Sequence, residues 1–167
     1  MIKKIITNDQ SETFVNEEIG EAYHSHTGAI QEAMLKYVEP CKIKELAKTG
    51  NLKILDVCFG LGYNSAMAIE IALQENPSCN IEVIGLEYDP EIIQKIQEVN
   101  PRISFFQHYK KLNKRTREFK EGNVKVKILL GDARETVKKL NENHFDAIFF
   151  GNIQQGIQTH RSLPMSM

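Results

Sequence analysis

Asp56, Glu87 and Asp132 each stand at or just beyond the carboxyl end of a short apolar run, and a glycine turn, Phe59-Gly60-Leu61-Gly62-Tyr63-Asn64, follows the first of them. Glycines in such a turn let a ligand approach the backbone closely, and a helix starting there offers free N–H donors. Carboxylates at successive strand ends occupy the edge where open α/β sheets bind ligands. Glu87 there can accept both ribose hydroxyl hydrogens, and Asp132 can accept from an adenine amino group. Such a set suits a cationic, ribose-bearing ligand better than a phosphorylated one. The turn departs from the dinucleotide pattern GxGxxG, because Ser65 stands where the third glycine belongs, which counts against hydride chemistry. Each acid taken alone is equally consistent with a helix cap.

The elements that must position these residues follow from the periodicity. Apolar runs over 52–58, 81–86, 124–130 and 145–150 alternate with helical segments over 65–74, from Pro90 onward, and over 134–140, the order of a parallel sheet covered on both faces. Proline at a first helical turn loses no needed hydrogen bond. Ahead of this unit, Ile5-Ile6 and Phe14-Val15 flank the turn-forming Asn8-Asp9-Gln10-Ser11, which predicts a hairpin over 2–16. Ile30, Ala33, Met34 and Tyr37 make one apolar stripe, predicting a helix over 29–38, and a second helix over 43–49 should close at Gly50.

With 167 residues, 41% of them hydrophobic and 26% charged, the chain has the length and composition of one globular domain. No apolar run approaches the ~20 residues of a membrane span. The first residues lack an apolar signal core, so a cytoplasmic location is expected. Cys41, Cys58 and Cys79 are odd in number and lack zinc-ligand spacing, and His24-Ser25-His26 is too sparse for a metal site, so no metal is expected. The net charge of −1 conceals a strong asymmetry: residues 1–101 carry 8 basic and 16 acidic side chains, residues 102–127 carry 9 and 2, and residues 128–167 carry 4 and 4. The central excess could attract a polyanion, or simply solvate a surface.

The ordered set of Asp56, Gly60, Gly62, Glu87 and Asp132 resembles the class I S-adenosylmethionine-dependent methyltransferases. The stretches Asp9 to Phe14, Gly20 to Ser25 and Gly28 to Ala33 are similar to the entry segment of the MnmC-like family, and Phe59 to Asn64 resembles its cofactor loop. The likeness runs over residues 8–150. It implies a Rossmann-like α/β sheet with helices on both faces, S-adenosylmethionine as cofactor, and methyl transfer to the primary amine of 5-aminomethyluridine at the tRNA wobble position. The family's cofactor contacts fall on Gly60, Gly62, Asn64, Glu87, Asp132 and Ala133, with Tyr23, His24, Ser25 and Glu32 near the pocket. Lys110, Lys111, Lys114, Arg115 and Arg117 are the candidate contacts to tRNA phosphates.

Two departures qualify the likeness. Cys58 stands where such loops have their first glycine. After Phe150 the family's Asp-Ala-Phe-Ser-Pro-like segment gives way to Gly151-Asn152-Ile153, so the acid near the substrate amine is absent and Asn152 is the substitute candidate. Asp146 lies at the wrong end of its strand to replace it. From Gly151 to Met167 a single formal charge, Arg161, and no sustained period remain. The expectation is a methyltransferase domain over 1–150 lacking its last strands, an irregular tail over 151–167, and impaired activity. A small-molecule methyltransferase and a non-catalytic cofactor-binding remnant are the alternatives.

Overall fold

In the computed structural model, residues 2–17, 21–22, 28–141 and 144–150 are described. β1 (Ile2–Ile6) and β2 (Glu12–Asn16) pair antiparallel, closing at Ile6 opposite Glu12, and β3 (Glu21–Ala22) adds to β2. Asp9 explains the turn. Its carboxylate accepts from the Thr7 hydroxyl at 2.8 Å and the Ser11 amide at 3.0 Å, and its second oxygen accepts from the Gln31 amide at 3.2 Å. Ser11 Oγ in turn accepts from Ala29 N at 3.0 Å. The hairpin tip is thereby fastened to the start of α1 (Ala29–Ala33). Gly28 is glycine because a Cβ there would lie 2.4 Å from the Asp9 carboxylate.

The helix expected over 29–38 forms, but its second half, Met34–Val38, is a π turn in which Glu39 N donates to Met34 O at 2.9 Å. The wider turn re-phases the stripe: Ala33 and Val38 become fully buried while Met34 and Tyr37 stay half-buried. α2 (Ile43–Lys48) ends as expected, Gly50 taking φ 92° and donating to Ala47 O at 3.1 Å.

The main sheet has the order β6-β7-β5-β4-β8, built from β4 (Asn51–Val57), β5 (Asn80–Glu87), β6 (Glu118–Glu121), β7 (Val124–Leu130) and β8 (Ala147–Phe150). All neighbours run parallel except β6, which pairs antiparallel with β7 through the short turn at Gly122. The sequence pattern missed β6 because Phe119 is its one apolar residue. α3 (Tyr63–Glu75) packs with α1, the π turn and α2 over one face, where Ile54, Ile69, Val83 and Val126 are buried. On the other face Leu55, Val57 and Leu86 form a smaller cluster with Ala133 of α6 (Ala133–Thr136) and with Val137 and Leu140 around a 3-10 turn. α4 (Pro90–Lys95) is capped by Asp89. α5 (Phe106–Tyr109), also unexpected, inserts Tyr109 fully buried among Phe59, Phe105, Phe106 and Phe119. Among the described residues no helix is long and apolar enough to cross a membrane.

Candidate active site

β4 delivers Asp56, wholly buried, to the base of the glycine loop, and its alternation places that carboxylate on the α3 side of the sheet with Leu52 and Ile54. Neither carboxylate oxygen has a hydrogen-bond partner among the described residues, and the same holds for Asn64 Oδ1 in the first turn of α3. Burial pushes the Asp56 carboxyl well above the usual range, and the nearby Glu87 charge adds to the rise. Ser65 lies close enough to oppose that rise, but its hydroxyl is shared between Gly62 O at 3.3 Å and Tyr109 OH at 2.7 Å. Buried acceptors without donors are costly, and Ser65, through its side chain and its backbone N–H, is the donor nearest to Asp56.

The loop between β4 and α3 holds left-handed backbone at every second position, with φ 61° at Cys58, 59° at Gly60 and 81° at Gly62. The two glycines serve different ends. A Cβ at Gly62 would meet the Tyr109 ring at 2.6 Å and the Phe59 ring at 2.8 Å, so that glycine is required by packing. A Cβ at Gly60 would find nothing nearer than Cys58 O at 3.8 Å, so its open face is the one a ligand can approach. Phe59 itself lies against Gly85 of β5, where a Cβ would stand 2.3 Å from its ring. Cys58 holds a conformation that L residues disfavour. Burial also pushes its thiol up to about 12, with Glu87 and Asp56 contributing.

Glu87, at the end of β5, braces this loop. Its Oε1 accepts from Gly60 N at 2.7 Å, and its Oε2 accepts from Tyr88 N and Asp89 N, each at 3.0 Å. Of about four acceptor positions on a carboxylate, one remains for a ligand. Burial nevertheless pushes its carboxyl up to about 7, outweighing the three amide donors.

Residues 30–148 match the family described as a methyltransferase domain. The chain belongs to that family. The crystal structure of MnmC2 from Aquifex aeolicus superposes with a TM-score of 0.79 at 34% identity, covering 91% of this chain and 50% of that one, so the domain is MnmC-like. Two uncharacterized proteins of Methanocaldococcus jannaschii are also similar. One is 32% identical over 151 residues, 86% of this chain and 39% of its own length; the other is 30% identical over 96 residues, 58% and 25%. The chain thus spans half or less of the relatives it matches.

Two further candidate residues of this methyltransferase domain follow β7, and a third lies on α1. Asp132 follows β7 and caps α6, accepting from Arg134 N at 2.9 Å. The Arg134 side chain also binds it, at 2.9 and 3.0 Å through Nε, and this holds the Asp132 carboxyl below the usual range. Ala133 is buried behind it. Glu32 lies on α1 with its side chain only 8% exposed, paired with Lys36 at 3.4 Å.

Tyr37, which the sequence reading placed only on an apolar stripe, reaches the end of β8. Its hydroxyl donates to the carbonyl of Phe150 at the end of β8, and its ring lies 5.3 Å from that of Phe149. Burial raises its pKa, and the charges of Asp56 and Glu32 add to the rise. The signal available in the sequence was the hydroxyl itself, since a tyrosine on a core stripe needs a polar partner.

Of the candidate phosphate contacts, Lys110 binds the carbonyls of Gln97, at 3.1 Å, and Val99. Lys111 pairs with Glu121 at 2.8 Å, and Lys114 pairs with Glu91. Arg115 and Arg117 instead open onto a cleft beside β7. Tyr23, His24, Ser25 and Asn152, and the tail over 151–167, lie outside the described residues. Among the described residues no group of three or more His, Cys, Asp or Glu is placed to hold a metal.

Proposed function

We propose that this methyltransferase domain uses S-adenosylmethionine to methylate the primary amine of 5-aminomethyluridine at the tRNA wobble position. The observation that carries the cofactor assignment is the open face of Gly60, whose amide is held by the Glu87 carboxyl at the carboxyl end of β5, with one acceptor position of Glu87 left over. Phosphate-bearing cofactors want donors and positive charge there, whereas a ribose hydroxyl wants the acceptor that Glu87 offers. The tRNA assignment is supported by the likeness to MnmC2.

S-adenosylmethionine supplies an electrophilic methyl group. Glu87 offers its remaining acceptor site to a ribose hydroxyl while holding Gly60 N in place. Asp132, which now binds the Arg134 side chain, would be the acceptor for the adenine amine. Asp56 and Asn64, buried behind the loop, would shape its base rather than touch the ligand. Tyr37 fixes the end of β8, beside which the substrate amine must present its lone pair in line with the methyl group; positioning of this kind supplies most of the rate. Asn152, outside the described residues, is the candidate to replace the family's acid in holding that amine. An amide holds it less strongly than a carboxylate would, so turnover is expected to be weak. The whole reaction is expected in the cytoplasm, where tRNA is modified.

Calorimetric titration with S-adenosylmethionine, followed in the same sample by methyl transfer to hypomodified tRNA, tests both halves. Binding with transfer supports the reading. Binding with transfer only to a small amine would favour a small-molecule enzyme, and no binding would overturn the cofactor assignment.

A further inference from the structure

The basic stretch that looks continuous in sequence is split by the fold. Lys110, Lys111 and Lys114 are tied to the carbonyl of Gln97, to Glu121 of β6 and to Glu91 of α4. Arg115 and Arg117 turn the other way and meet Lys127 of β7 and Lys139 of the 3-10 turn around a cleft of about 410 Å³. None of these four forms an ion pair with another described residue, and Glu118 is the single acid on the cleft wall. All four are exposed. The positive surface continues beyond the cleft. Side chains alternate along β6 and β7, so Phe119, Val124 and Val126 face the core while Glu118, Lys120, Lys125 and Lys127 face out, Lys120 opposite Lys125 and Glu118 opposite Lys127, with Glu82 of β5, itself paired with His144, beside Lys125. Successive outward residues on a strand are about 7 Å apart.

We infer that this cleft and ribbon form an anchoring site for the phosphate backbone of an RNA stem. The inference rests on tRNA being the substrate. Row geometry favours a polymer over a single phosphate, since the cations extend past the cavity along the ribbon. Aliphatic Leu129 and Leu130 line the floor and no aromatic ring does, so the stacking platforms that hold unpaired bases are missing from its wall. A surface of this kind reads charge and shape without reading sequence. The anchor lies at β7, three strand spacings or about 14 Å from the edge strand β8. It would grip a stem while the modified nucleotide reaches the reacting edge.

The test is binding of a tRNA transcript to the full chain between 50 and 200 mM salt. Arg117→Gln/Lys127→Gln should weaken binding at least tenfold at 100 mM and flatten the plot of log affinity against log salt by about 1.5, the loss expected for two cations. Arg115→Gln/Lys139→Gln should do the same, which guards against one misfolded variant. Lys111→Gln/Lys114→Gln should change affinity less than twofold, and a 16-base-pair RNA duplex should compete better than poly(U). Unchanged binding in both cleft variants, an equal loss in the Lys111/Lys114 variant, or preference for poly(U) would overturn the inference. S-adenosylmethionine titrated into the same proteins reports separately on the cofactor reading, because the cleft residues lie outside that site.

Discussion

Glu87 sets two effects against each other, and pH decides between them. Three amide donors favour its anion, while burial favours the acid and wins, leaving the carboxyl at about 7. If the ligand's ribose must donate to this group, binding requires the anion and releases a proton from whatever fraction is protonated. Affinity for S-adenosylmethionine should then fall about tenfold from pH 8 to pH 6, about 1.4 kcal/mol. Without ligand the sign is opposite. A carboxyl whose folded pKa is raised stabilises the fold fully below its unfolded value of 4.5, and that contribution is lost as pH rises through about 7. For this half-buried group the swing should be on the order of 2–3 kcal/mol. Titration calorimetry at half-unit steps from pH 5.5 to 8.5, in two buffers of different ionisation enthalpy, measures affinity and proton release together. Glu87→Gln should bind about 1–3 kcal/mol more weakly, since its amide N–H₂ faces amide donors, and should lose the pH dependence. A wild-type profile flat across this range, with no proton released, would refute the reasoning and show that the three amides hold Glu87 ionised throughout.

Asp9 should show the opposite sign. Burial raises its carboxyl, but bonds from Ser11, Thr7 and Gln31 outweigh that and hold it at about 2, so its contribution, on the order of 1–2 kcal/mol, is present above pH 3.8 and lost as pH falls through 2. Urea unfolding of Asp9→Ala should show that deficit at pH 7 and a smaller one at pH 2.5; an equal deficit at both would argue against it. Gly62→Ala should cost about 2–4 kcal/mol, from overpacking plus left-handed strain, whereas Gly60→Ala should cost about 1 kcal/mol in thermal unfolding yet weaken S-adenosylmethionine binding more. Comparable stability losses in the two would contradict the assignment of their roles. Cys58→Gly should leave stability within about 1 kcal/mol, strain relief offsetting added chain entropy. The native Cys58 thiol, pushed up to about 12, should resist iodoacetamide at pH 8 and react once unfolded, which mass spectrometry can follow.

Much of the frame was legible in the sequence because it depends on local chemistry. The hairpin turn declares itself through Asp9 and Ser11, whose side chains make the hydrogen bonds that shape it. The parallel strands are legible because burial on both faces leaves unbroken apolar runs, as in Val124 to Leu130. The misses share one cause, dependence on residues far away in the chain. The stripe over 29–38 satisfies an α-helix perfectly well, and only packing against α3 and β8 turns its second half into a π turn. α5 exists because Tyr109 has a place under the loop, with Ser65 as its hydroxyl partner 44 residues away. The continuous basic stretch parts because Glu91 and Glu121 capture some lysines and leave two arginines free for the cleft.

The glycine loop shows how far a motif can carry a functional reading. Its pattern places Gly60 and Gly62 together as ligand-approach positions, yet their surroundings differ completely. Gly62 is crowded by Tyr109 and Phe59, so selection for packing alone would keep it. Gly60 is crowded by nothing, and its amide is held by Glu87, so its lack of a side chain serves the open side of the loop. Cys58 then becomes interpretable. It shares the left-handed backbone of both glycines but is half-exposed, so its side chain has room and its cost is conformational. That cost is about 1–2 kcal/mol, small enough for the fold to tolerate without losing the loop. On the proposed function the chemistry of the edge rests on Gly60 and Glu87, and a chain that kept Gly62 while losing Glu87 would retain the motif's shape without its affinity.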